Sequence, residues 1–164
     1  MKDLGALKYF LGVEVAQSPE EIFWFQHKYA LEIISEVGLL GAKPASTPLE
    51  QHHQLALADS PFWIIQKKYR KLVGCLIYLC FTCPDLSYCI HVLSQFMQEP
   101  REEHWEVALR VIRYLKGNPG QGILLRGDCD LKIHGWCDSD WPGCPLTCMS
   151  LIGLFISQGN SSIS

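Results

Sequence analysis

Apolar and polar positions along this 164-residue chain change their period several times. Leu7–Val15 alternates partly and is rich in aromatic and β-branched residues, which predicts a strand. Ile22–Phe25 predicts its hairpin partner across the turn Ser18-Pro19-Glu20. Over Gln26–Val37 the period becomes helical. Ala30, Ile33, Ile34 and Val37 share one face, and Gly38 stands at the expected stop. Gly41–Ser60 has two prolines, two adjacent histidines and little periodicity, so it reads as a loop and the best domain boundary. Ile64–Cys80 predicts a helix with a basic start and an apolar end. Thr82 then suits an N-cap and Pro84 the first turn of the next helix. That helix runs to about Gln98 with Leu86, Ile90, Leu93 and Met97 inward, and Pro100 ends it. Glu102–Lys116 predicts another, with Trp105, Leu109, Ile112 and Leu115 inward and Gly117 closing it. Gly122–Arg126, Leu131–Cys137 and Leu151–Ser157 read as strands. The sum is an α+β fold: a short β-hairpin, a helical middle and a terminal sheet.

Composition supports a packed core and narrows the partners. Hydrophobic residues make up 48% of the chain and charged residues 19%, which argues against wholesale disorder. The net charge of −3 means that any nucleic-acid role must rest on local basic patches. The longest near-apolar run, Leu72–Phe81, is too short to span a bilayer, so no membrane partner is expected. Met1–Gly5 lacks a basic stretch followed by an apolar run, and an intracellular location of undefined compartment is expected. The eight cysteines are unevenly spread, which favours reduced thiols over a disulfide framework.

Five groups of residues suggest chemistry. Lys67, Lys68, Arg70 and Lys71 cluster at one helix start, and Arg110, Arg113 and Lys116 lie three apart on one side of another. Positive charge at these spacings suits phosphate contact. The plainer reading is a solvated helix face, with Glu102, Glu103 and Glu106 diluting the charge. Cys75, Cys80 and Cys83, with Cys89 downstream, have the C-x4-C-x2-C spacing of a plant-type iron–sulfur site. Their setting in an apolar helical run favours buried thiols instead. Cys137, Cys144 and Cys148 with His134 match no standard zinc spacing. Asp138 and Asp140 follow a strand, but two carboxylates do not make a two-metal catalytic site. Gly117–Gly122 follows a helix and leads into a strand, the wrong order for a dinucleotide loop, and reads as a turn.

Several blocks also occur together in one order: MKDLGALKYFLGVEV at Met1–Val15, YRKLVGCLIYL at Tyr69–Leu79, TCPD at Thr82–Asp85, LSQFM at Leu93–Met97, ALRVIRYLKG at Ala108–Gly117 and GWCDSDWPG at Gly135–Gly143. The set resembles the Pol polyprotein of copia-type retrotransposons, from the end of reverse transcriptase into ribonuclease H. The resemblance implies three segments: 1–42 as the end of the palm with a primer-grip-like hairpin, 43–120 as a thumb- or connection-like helical region, and 121–164 as a truncated ribonuclease H-like sheet. It implies primer contacts at Lys8 and Tyr9, backbone contacts from the two basic groups, and a first ribonuclease H metal ligand at Asp138. The family's polymerase site uses adjacent aspartates with Mg²⁺, and no Asp-Asp pair occurs here. Cysteine also stands at 75, 83 and 148 where the family usually has arginine, and Pro142, Leu146, Met149, Leu151 and Ile152 depart from it too.

The reading that follows is a catalytically incomplete fragment of a decayed element, without a cofactor of its own. The alternative is a module that still binds RNA/DNA duplexes. Open strand edges at Leu7–Val15 and Leu151–Ser157 would favour self-association.

Overall fold

The computed structural model describes residues 8–50, 53–128, 130, 132–139, 152–159 and 161–162. These fall into two compact units, one drawn from 1–25 and 122–164, the other from 26–121. The α+β class is as expected, with antiparallel sheets in the first unit and helices in the second.

The helical unit contains α1 (His27–Glu36), α2 (Gln66–Leu79), α3 (Ser87–Ser94) and α4 (Glu102–Gly117). Each arises from an apolar stripe at helical spacing. On α2 the stripe is Tyr69, Leu72, Val73, Leu76 and Leu79, all buried. It packs with Ala30, Ile33 and Ile34 of α1, Cys89, Ile90 and Leu93 of α3, and Ala108, Val111, Ile112 and Leu115 of α4. Burying each large aliphatic side chain contributes roughly 1.5–3 kcal/mol. Inside this core the Tyr69 hydroxyl donates to the Leu93 carbonyl at 2.8 Å, so the ring is satisfied at its polar end as well.

Helix ends follow local chemistry, with two departures from expectation. Helix α1 stops at Gly38, where Gly38 N–H donates to Ser35 O and Leu39 N–H to Ile34 O, a paired closure of the last turn. Thr82 is not an N-cap. Its hydroxyl donates to the buried Gln26 Oε1 at 2.8 Å, tying the start of α1 to the end of α2. A 3-10 turn at Pro84–Leu86 precedes α3, which ends at Ser94 rather than near Gln98. The inward face of α4 is also rotated. Ile112 and Leu115 are buried as expected, whereas Trp105 and Leu109 are only half-buried and His104, Ala108 and Val111 take the interior.

In the first unit, β1 (Tyr9–Phe10), β2 (Val13–Gln17), β3 (Glu21–Phe25) and β4 (Gly122–Arg126) form one antiparallel sheet in that order. Within the stretch 7–15, expected as one strand, Tyr9–Phe10 and Val13–Gln17 instead form a tight hairpin. Phe10 pairs with Val13 around Leu11 and Gly12, which both have positive φ (49° and 82°). The hairpin across Ser18-Pro19-Glu20 is as expected, pairing Gln17 with Ile22. Gly122 lies against the carbonyl of Trp24, where a Cβ would come within 2.2 Å, so β4 can pair there only as glycine.

The other sheet contains β5 (Ile133–Ser139), β6 (Ile152–Gln158) and β7 (Ser161–Ser162), with β6 in the middle. The stretch expected as an open edge, Leu151–Ser157, is therefore paired on one side by β5 over Ile152–Gln158 and on the other by β7 only at Ser157 and Gln158. The segments 1–42, 43–120 and 121–164 do not coincide with the two units: α1 packs with the later helices, and β4 pairs with β3.

Core packing makes a direct prediction. Leu76→Ala should cost about 2–5 kcal/mol, and Tyr69→Phe about 0.5–1.5 kcal/mol by removing one hydrogen bond to the Leu93 carbonyl, which still accepts the Phe96 N–H. Urea midpoints followed by tryptophan fluorescence check this. Losses no larger than those of an exposed change such as Lys67→Ala would contradict the packing.

Candidate nucleic-acid interface

The basic residues of α2 fall opposite its buried stripe, because positions 67, 68, 70 and 71 interleave with Tyr69 and Leu72. All four are exposed. Their side chains have different partners. Arg70 donates from Nε to the Met97 carbonyl at 2.8 Å and from Nη2 to the Gln98 carbonyl at 3.4 Å, so it closes the turn that follows α3. Lys71 pairs with Glu36 of α1, which holds its ammonium above the usual lysine range. Lys67 and Lys68 make no ion pair among the described residues.

The basic side of α4 faces a loop of its own unit. Arg110 donates to the Thr47 carbonyl at 3.2 Å, to Thr47 Oγ1 at 3.1 Å and to Glu50 at 2.5 Å. Lys116 donates to the Ala42 carbonyl at 2.5 Å. Arg113 lies between them, half-buried, with its carbonyl accepting the Ala45 N–H at 3.1 Å. Arg110 and Lys116 thus fasten residues 42–50 to the helix. Sequence spacing grouped these cations correctly on one side but could not show what they face.

Lys8 and Tyr9 are exposed beside the tight hairpin, with Tyr9 57% accessible. Asp138 is exposed on β5, paired in register with Gly153. Asp140, Cys144 and Cys148 lie outside the described residues. Among the described residues no three His, Cys, Asp or Glu side chains gather as a metal site. The carboxylate present at Asp138 therefore does not fit a two-Mg²⁺ centre by itself.

The cysteines of the helical unit are packing residues. Cys83 and Cys89 are buried, whereas Cys75 on α2 and Cys80 just after it, expected to be buried, are half-buried. Cys89 Sγ donates to the Leu86 carbonyl at 3.0 Å. Burial pushes the thiol of Cys83 up to about 11 and that of Cys89 up to about 12, and it raises Cys80 as well. Metal binding and nucleophilic attack need the thiolate, which these sites disfavour at neutral pH.

His104 is the residue that sequence reasoning missed. It is 2% exposed at the start of α4. Its Nδ1 accepts the Arg101 N–H at 2.9 Å, which leaves Nε2 to donate to the Leu55 carbonyl at 3.0 Å. Its ring stacks on Phe96 at 3.9 Å. Arg101 also donates to the Ser60 carbonyl at 2.6 Å and lies over the Phe62 ring. His104 thereby pins the segment before α2 to the start of α4. The available signal was its place in the spacing 104, 108, 111, 112, 115, discounted because histidine is polar.

Burial, chiefly, holds the His104 imidazole below the ordinary histidine range, with the Arg101 charge acting the same way. A proton on Nδ1 would also oppose the Arg101 N–H. Between the lowered folded value and the ordinary 6.5, the unfolded chain binds a proton that the folded chain refuses. Stability from this group is full above that window and falls as pH drops through it. NMR titration should show the His104 midpoint below 6.5, as burial also lowers His53, with the urea midpoint falling from about pH 7.5 to 5.5. An ordinary midpoint for His104 would contradict the assignment.

Comparison with known proteins supplies the family. No family model matches the chain, and no solved structure matches it. Retrovirus-related Pol polyproteins from transposons RE1 and RE2 of Arabidopsis thaliana are each 37% identical to the whole chain, which spans 11% of their length. An uncharacterized mitochondrial protein of Arabidopsis thaliana is also 37% identical over the full chain, which covers 68% of that protein. No helix among the described residues is long and apolar enough to cross a membrane. The ordered sequence blocks and these full-length matches agree: the chain belongs to the family of retrovirus-related Pol polyproteins of copia-type transposons.

Proposed function

We propose that this chain is the part of a copia-type Pol polyprotein that runs from the end of reverse transcriptase into ribonuclease H, and that it contacts RNA/DNA duplexes without a catalytic centre of its own. The observation that carries the binding role is the exposed pair Lys67 and Lys68 at the start of α2, which have no ion-pair partner among the described residues. Arg70, Lys71, Arg110 and Lys116 are already engaged within the unit. Lys8 and Tyr9 offer a second contact on the hairpin. The ribonuclease H assignment is supported by Asp138 near the end of a strand in an antiparallel sheet. The reading without a catalytic centre rests on the sequence, in which no Asp-Asp pair occurs.

Decay of the element is supported by Cys75 and Cys83, which stand where the resemblance calls for arginine. One C-to-T change in a CG-type arginine codon gives cysteine. The aligned codons of related elements test this directly: CGT or CGC, the two arginine codons that one C-to-T change turns into cysteine, is expected at both positions. Other arginine codons there would oppose it.

Fluorescence anisotropy with an RNA/DNA hybrid tests binding. Affinity should fall steeply between about 50 and 200 mM salt. Lys67→Gln with Lys68→Gln should reduce the slope by about 2, whereas Arg110→Gln should leave it unchanged. No hybrid binding at low salt would overturn the proposal.

A further inference from the structure

A cavity of about 190 Å³ opens in the helical unit between α1, α2 and α4. Ile33, Leu72, Cys75 and Trp105 give it apolar walls. Its size selects its occupant. It exceeds the roughly 150 Å³ cavity that takes benzene and falls below the about 300 Å³ at which drug-sized pockets begin. One ring system fits.

The wall and the charge narrow the choice further. Trp105 stacks on Trp63 with centroids 4.9 Å apart and planes inclined by 11°. The second indole backs the first, so Trp105 presents a stiff aromatic wall. Three charged side chains, Glu36, Lys68 and Lys71, also line the cavity. Glu36 and Lys71 neutralise each other as an ion pair. Lys68 has no ion-pair partner among the described residues, and Lys67 precedes it. The result is a slot for one flat ring, bordered by a single uncompensated positive charge.

We propose that this cavity takes one unpaired nucleobase of a nucleic-acid strand, packed against Trp105, with its phosphate on Lys68. The inference rests on the nucleic-acid reading above and adds a base-reading slot to a surface otherwise sensitive only to charge. Duplexes present their bases stacked and paired, so the slot selects single-stranded ends or overhangs. Base–aromatic packing is sequence-tolerant, because each base offers a π-face. The slot therefore distinguishes a base from no base, rather than one base from another.

The test compares two strands of equal charge on the full chain: an oligothymidylate of about eight nucleotides and an abasic phosphodiester strand of the same length. The oligothymidylate should bind about tenfold more tightly and quench tryptophan fluorescence. The abasic strand should bind weakly and leave the fluorescence unchanged. Trp105→Leu should remove the quench and the preference. Cys75→Leu, which fills the cavity from α2 and leaves Trp105 in place, should remove the preference while the hybrid still binds. Equal binding of the two strands would overturn the slot and leave the charge-based contact standing. Failure of the strands and of the hybrid alike would overturn both.

Discussion

Everything in the helical unit depends on one constraint: the stripe Tyr69, Leu72, Val73, Leu76 and Leu79 of α2 must leave water. Its burial against α1, α3 and α4 fixes the rotation of the helix. That rotation sends Lys67, Lys68, Arg70 and Lys71 outward, because residues between apolar positions of a helical stripe have nowhere else to point. The outward row of cations is therefore a by-product of the core. The Tyr69–Leu93 hydrogen bond adds direction to what would otherwise be a non-specific apolar contact. His104 does the same at the other end, anchoring Leu55 and Arg101 at once.

A count of basic residues overstates the free positive charge of the helical unit. Seven cations on α2 and α4 suggest a broad phosphate-binding face. Four of them serve the protein itself: Arg70 on the turn after α3, Lys71 on Glu36, Arg110 on Thr47 and Glu50, and Lys116 on Ala42. The ion pairs lie at the surface and contribute little to stability. A cation beside a carboxylate, as at Lys71 and Arg110, presents little net charge outward. What remains is the pair Lys67 and Lys68 at the start of α2, with the half-buried Arg113 on α4, which agrees with the acidic balance of the whole chain.

Element positions were largely legible because apolar spacing and turn residues encode them locally. Gly122–Arg126 matches its expected bounds, and Gly38 ends α1 where it should. The hairpin at Leu11-Gly12 was not legible, since leucine is an unusual residue at positive φ and the stretch continues to read as β structure through it. The true inner face of α4 was hidden because its first member is a histidine. Thr82 looked like a cap because its partner, Gln26, lies 56 residues away. The same separation explains the basic residues. Glu50 lies 60 residues from Arg110, and no spacing rule connects them. The family was legible from ordered sequence blocks, whereas the division of labour among its cations required the structure.

Native-state hydrogen exchange, read residue by residue, tests the central claim most directly, because it ranks the parts of the chain by the free energy needed to open them. The account predicts that the slowest amides lie in α2 from Leu72 to Leu79 and in α4 around Val111 and Ile112, and that they exchange together. Slowest exchange in β5 and β6, or uniformly fast exchange across α2, would contradict it.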